Sequence, residues 1–144
     1  MIRIAAALID DAAGRLLLVR KAGTPWFMQA GGKIEKGETA LCALRRELDE
    51  EIGLRLDEDT CYLGRFTAAA ANEPCHIVVA DIFHVRLQHS PVTHAEIEEA
   101  VWVSHAEAET MQLAPLTRDH VLPLARRLAD GGWGIGSCRP VDGA

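Results

Sequence analysis

A glycine-rich loop runs directly into a helix that carries leucines and acidic residues together, and no other stretch of the chain restricts its fold and chemistry so closely. Residues 39–52 read as a helix because Leu41, Leu44, Leu48 and Ile52 fall on one stripe at helical spacing, and Gly53 supplies a stop. Glu47, Glu50 and Glu51 stand at i, i+3 and i+4, so they project from a common face, expected beside the leucine stripe but distinct from it. Three carboxylates this close repel one another, and water, basic neighbours such as Arg45 and Arg46, or a bound cation must compensate. Taken alone, a Glu-rich helix face is most often simply solvated. The loop changes that weighing. Gly31, Gly32 and Gly37 let the backbone turn sharply and approach a ligand, and a glycine loop leading into a helix can aim backbone groups at phosphate or metal. Such a loop by itself is more often an ordinary turn. Joined to the acidic helix it makes a site for a hard divalent ion and a diphosphate, and oxygen-only ligands favour magnesium or manganese over zinc.

The remaining pattern alternates strands and helices. Residues 2–9 and 15–20 are apolar on either side of a turn at 10–14, which predicts a β-hairpin. Residues 21–38, with Pro25 and four glycines, read as loop rather than regular structure. Residues 61–71 and 75–87 read as strands around a turn at Asn72-Glu73-Pro74, and Val101-Trp102-Val103 as a short strand. Residues 104–111 and 117–130 read as helices, and a glycine-rich tail begins at Gly131. One domain over 1–130 followed by a tail over 131–144 is therefore expected. Its class is α/β, with a mixed sheet and helices on both faces.

A net charge of −6 lacks the basic surface of a general nucleic-acid binder, so no long nucleic acid is expected as a partner. No apolar run approaches the roughly 18 residues of a membrane span, and Met1 opens straight into Ile2-Arg3-Ile4-Ala5 without the pattern of an export signal. The four cysteines, Cys42, Cys61, Cys75 and Cys138, form no C-x-x-C pair and read as reduced thiols of a cytoplasmic protein.

The loop and helix also match a known signature at every defined position. It consists of a glycine, five residues, a glutamate, seven residues, Arg-Glu, an aliphatic residue, any residue, Glu-Glu, any residue, glycine and an aliphatic residue. Here these are Gly32, Glu38, Arg46, Glu47, Leu48, Glu50, Glu51, Gly53 and Leu54. A chance match in a chain of this length falls far below about one in a million. The chain thus resembles the Nudix hydrolases, the MutT-type members in particular, and the flanking order of strands and helices resembles their α/β/α sandwich across most of the chain.

That resemblance implies metal-dependent hydrolysis of a diphosphate linkage in a small nucleotide-like substrate, with Mg2+ (or Mn2+) as cofactor. It implies Glu50 and Glu51 as metal ligands, Glu47 as a further ligand or a group that positions water, and the Gly31 carbonyl as an additional ligand. Arg46 would orient the carboxylates. A catalytic base outside the signature is implied at Glu96, six residues before Trp102, with Glu98 and Glu99 as close competitors. Candidate substrate contacts are Arg20, Trp26, Gly32, Lys33 and Glu38, the last also a support for the loop. Phe27 could stack on a base with Trp26, Arg3 and Lys21 could meet phosphates, and Thr117-Arg118-Asp119 lies where MutT-type enzymes contact the base. One departure is Ala30, where the family often has proline before the paired glycines. A homodimer follows from family habit alone. The reading from another class is a nucleotide-sensing module without hydrolysis, but such domains commonly lose signature carboxylates that are all present here. An isomerase on the same fold would need further catalytic groups that the sequence does not place.

Overall fold

The computed structural model describes residues 1–56, 60–87, 91–94 and 96–130. Its strands are β1 (Ile2–Asp10), β2 (Leu16–Lys21), β3 (Phe27–Met28), β4 (Gly31–Lys33), β5 (Cys61–Ala69), β6 (Ile77–Arg86) and β7 (Ile97–Val103). Helix α1 spans Ala40–Ile52, α2 spans His105–Glu109 and α3 spans Leu122–Ala129, with a π-helical turn at Thr117–Val121 leading into α3. The strands form one mixed sheet in the order β3-β2-β1-β6-β5; β4 pairs with β1 and β7 with β2. Among the strand pairs of the described residues only β1 and β6 run parallel, in register from Ile2↔Val78 to Asp10↔Arg86.

Alternation along the strands sorts side chains to two faces. Ala5, Ala7, Ile9, Leu17, Val19, Phe83 and Val85 pack against α1 through Ala43, Leu44, Leu48 and Ile52. Leu8, Leu16, Leu18, Ala80 and Ile82 pack on the opposite face against Ala108, Val121, Leu122, Leu124 and Ala125. The result is the expected α/β sandwich with helices on both faces of a mixed sheet. Among the described residues no helix is long and apolar enough to cross a membrane.

Helix α1 is tied at both ends. The Thr39 hydroxyl accepts from the Cys42 amide at 3.1 Å. Gly53 turns left-handed (φ 64°), and the Gly53 and Leu54 amides donate back to the carbonyls of Asp49 and Leu48.

Several expectations change. Residues 21–38 are not all loop, because β3 and β4 lie within them. The β1–β2 hairpin is paired only at Asp10↔Leu16, since β4 takes the neighbouring edge of β1. Strand β7 begins four residues earlier than expected, at Ile97 rather than Val101. Cysteines 42 and 75 are free and exposed, whereas Cys61, read as a reduced thiol, is disulfide-bonded. The tail from Gly131, with Cys138, lies outside the described residues.

Candidate active site

Strand β4 brings the glycine loop against the middle of β1, pairing Ala5 with Gly32 and Ala6 with Gly31. The approach requires glycine. A Cβ on Gly31 (φ 147°) would run into the Ala5 carbonyl oxygen and come within 2.7 Å of Ala6 Cα. A Cβ on Gly32 would overlap the Glu47 carboxylate, so the missing side chain makes the space that Glu47 fills.

Glu51 is the central group of the site. Only 5% of it is exposed, and the Gly31 amide donates to its Oε1 at 3.0 Å. Burial pushes its carboxyl up to about 7; the Gly31 amide and the charge of Lys21 oppose the rise, while the charges of Glu47 and Glu96 add to it. The carboxylate face was expected to stand apart from the leucine stripe, but Glu51 lies on the buried side of α1 with Leu44, Leu48 and Ile52.

Arg46 joins the loop to the helix. Its Nε and Nη2 donate to the two Glu38 oxygens at 2.9 and 2.8 Å, Nη1 to Glu47 Oε1 at 2.6 Å, and Nη2 to the Lys33 carbonyl at 3.1 Å. Glu50 lies 3.9 Å from Nη1 and is largely exposed. The paired guanidinium, helped by the Glu35 amide, holds the Glu38 carboxyl down at about 2. Glu38 is therefore a brace of the loop, and the structure does not bring it forward as a substrate contact. Lysine cannot reproduce this planar fork. Arg46→Lys is expected to lower kcat/KM about 10- to 100-fold and to return Glu38 toward the ordinary carboxylate range, checked by steady-state kinetics and a carboxylate NMR titration.

The segment before β7 is docked on the end of α1, where the His94 amide donates to the Glu51 carbonyl at 2.8 Å. This sets Glu96 close enough to Glu51 to act on its charge. Its competitors are engaged elsewhere. A bulge in the β2–β7 pairing, between Arg20 and Lys21, lets both Glu98 and Glu99 reach Arg20, at 3.2 and 2.8 Å. Arg20 also donates to the Thr24 carbonyl at 3.0 Å, so it is committed to this network.

The cleft beside the carboxylates is lined by Lys21, Gly31, Gly32 and Lys33 on one side and by Ala69–Glu73 on another. Trp26 is not among its walls; it lines a separate groove with Met111, Leu122 and Pro123. Arg118 lines that groove too and pairs with Asp119, whereas Thr117 lines the cleft beside the glycine loop. Sequence reasoning missed Gln29, Asn72 and Glu73 as cleft residues, and neither periodicity nor motif marks them.

As they stand, no three His, Cys, Asp or Glu side chains among the described residues are gathered into a ready cage for a metal ion; Glu47 is turned onto Arg46. The donor set nevertheless fits a hard divalent cation. Its groups are all oxygens, and Glu51 is a buried carboxyl whose ionised form faces two like charges and that a cation would stabilise.

Comparison with known proteins agrees with this geometry. The NUDIX domain family matches residues 2–125. A CTP pyrophosphohydrolase of Escherichia coli is 34% identical over 126 residues, which cover 80% of this chain and 84% of that protein. The solution structure of the Escherichia coli ORF135 protein is similar with a TM-score of 0.66 and 29% identity, covering 99% of this chain and 95% of that one. The NUDIX domain of Shewanella oneidensis NrtR, solved with ADP ribose, shares the fold with a TM-score of 0.73 at 16% identity, over 89% of this chain and 88% of that one. Since the family match runs through both layers of the sandwich and through the acidic helix itself, the chain belongs to the Nudix hydrolase family.

Proposed function

We propose that this enzyme hydrolyses a diphosphate linkage in a nucleoside triphosphate, or in a nucleoside diphosphate joined to another moiety, with the carboxylate face of α1 as its catalytic centre. The observation that carries this reading is Glu51, buried beneath the glycine loop against the Gly31 amide with its carboxyl raised to about 7. The similarity to a CTP pyrophosphohydrolase supports a nucleoside triphosphate as the substrate class.

Glu47, Glu50, Glu51 and the Gly31 carbonyl would hold Mg2+ (or Mn2+). When bound, the ion supplies Lewis acidity and neutralises charge on the phosphates. Arg46 and the Gly31 amide keep Glu47 and Glu51 in place without the ion. Lys21 and Lys33 bring positive charge to the cleft wall for the phosphate chain. Glu96 takes a proton from the attacking water as its oxygen bonds to phosphorus and the bridging P–O bond breaks. The products are a nucleoside monophosphate and either pyrophosphate or the phosphorylated second moiety.

Glu96→Gln is expected to lower kcat about 100-fold in steady-state kinetics. A variant within twofold of wild type puts the base elsewhere. The substrate class is tested by product analysis on nucleoside triphosphates, dinucleoside polyphosphates, ADP-ribose and sugar nucleotides, each with Mg2+ and with a chelator. Metal-dependent turnover of one class supports the reading. Tight nucleotide binding without turnover of any of them overturns it in favour of a sensing module.

A further inference from the structure

The cleft also holds a buried polar pair that the hydrolytic chemistry leaves unused. Gln29 lies between β3 and β4 and is 7% exposed; Thr117 opens the π-helical turn and is fully buried. The Thr117 hydroxyl donates to Gln29 Oε1 at 2.8 Å. Both residues line the cleft, where their neighbours include apolar Ala6, Met28, Val78 and Leu116. A polar pair in such a setting is costly unless each group finds a partner.

In the observed pairing the Thr117 hydroxyl takes the oxygen of the Gln29 amide and leaves Nε2 outside that bond. Nε2 makes no hydrogen bond among the described residues, yet it is not sealed off, since the one buried side-chain atom left without a partner there is His84 Nδ1. The amide N–H groups of Gln29 are thus open donors in an otherwise largely apolar stretch of the cleft. A few fixed polar groups in an apolar lining set ligand orientation and selectivity.

We propose that Gln29, held in orientation by Thr117, selects the base of the substrate by donating from Nε2 to a ring carbonyl oxygen. The inference rests on the reading of the cleft as a nucleotide site. Uracil, thymine, cytosine and guanine all carry such a carbonyl, whereas adenine carries none and presents an amino donor instead. Adenine would leave the Gln29 donor desolvated and unpaired, and a site built around a hydrogen bond rejects the analogue that lacks the partner. Thr117 acts as a positioning residue. Without its hydroxyl the amide loses its anchor, and either end can meet the base.

The test compares kcat/KM for uridine, cytidine, guanosine and adenosine triphosphates in wild type, Gln29→Glu, Gln29→Leu, Thr117→Val and Thr117→Ser. Gln29→Glu keeps an oxygen for the Thr117 hydroxyl and removes the donor; Gln29→Leu fills the space without charge. Wild type is expected to disfavour ATP by about 10-fold or more against the best carbonyl-bearing nucleotide. That ratio should collapse toward unity in both Gln29 variants, fall partway in Thr117→Val and return in Thr117→Ser. Equal use of all four by wild type, or a uniform drop that leaves the ratio intact in the Gln29 variants, overturns the proposal. If wild type hydrolyses none of them, the hydrolytic reading fails separately, and calorimetry with the four nucleoside monophosphates decides this one. Weaker binding of AMP that depends on Gln29 upholds it; equal binding, or none, overturns it.

Discussion

Replacing Glu51 with Gln lowers kcat about 10²- to 10³-fold, the scale expected when one charged group is removed from a preorganised site, and at the same time stabilises the metal-free protein at neutral and higher pH. Both effects follow from the same burial. Gln keeps an oxygen for the Gly31 amide but brings no charge to a cation or to phosphoryl transfer. The stability effect comes from the raised carboxyl, about 7 in the folded chain against an ordinary 4.5. Between these values the folded chain keeps a proton that the unfolded chain has released. This contribution is fully present below about pH 4.5 and is lost as pH rises through about 7, a fall of roughly 3 kcal/mol. Gln does not titrate, so the variant escapes that loss. Melting temperatures measured with a chelator from pH 4 to 8 should show wild type losing stability across the window while Glu51→Gln stays nearly level. Parallel curves would contradict the buried placement of Glu51. Stability given up at a functional group is a common trade.

The second large effect is on folding. Gly31→Ala is expected to cost roughly 3 kcal/mol or more, because its Cβ meets the backbone of β1 at Ala5 and Ala6 while φ sits at 147°. The colliding atoms belong to the central strand and cannot move aside. Gly32→Ala is the informative contrast. There the obstacle is the Glu47 carboxylate, the far end of a side chain, so the cost should appear mainly as lost activity with a smaller loss of stability. Urea denaturation of both variants checks the order. A midpoint for Gly31→Ala close to that of wild type would contradict the tight β1–β4 contact.

The acidic helix was legible from sequence because its leucines recur at helical spacing and Gly53 marks its end. The burial of Glu51 was legible in principle: it lies three residues after Leu48 and seven after Leu44, so it continues the stripe that was read as purely apolar. Charge drew it to the solvated face in that reading, while the docked segment at His94 and the close loop at Gly31 cover it in the fold. Strands β3 and β4 span two and three residues, too short for alternation to register, and the glycines that made them look like loop are what allow β4 to lie against β1. Trp26 was a candidate base contact because it precedes the glycine loop, but chain proximity does not fix direction, and the structure places it along the groove with Met111, Leu122 and Pro123. Gln29 and Thr117 are 88 residues apart, so no local pattern could join them; they meet only once the π-helical turn packs against the sheet.

The most direct test of the central claim is pyrophosphate release from a nucleoside triphosphate by wild type and Glu51→Gln side by side, each with Mg2+ and with a chelator. Rapid release by wild type that disappears with the chelator, and that falls at least about 100-fold in the variant while it stays folded, is the predicted result. Release by Glu51→Gln at the wild-type rate, or release undiminished by the chelator, would contradict the assignment of α1 as the catalytic, cation-holding element.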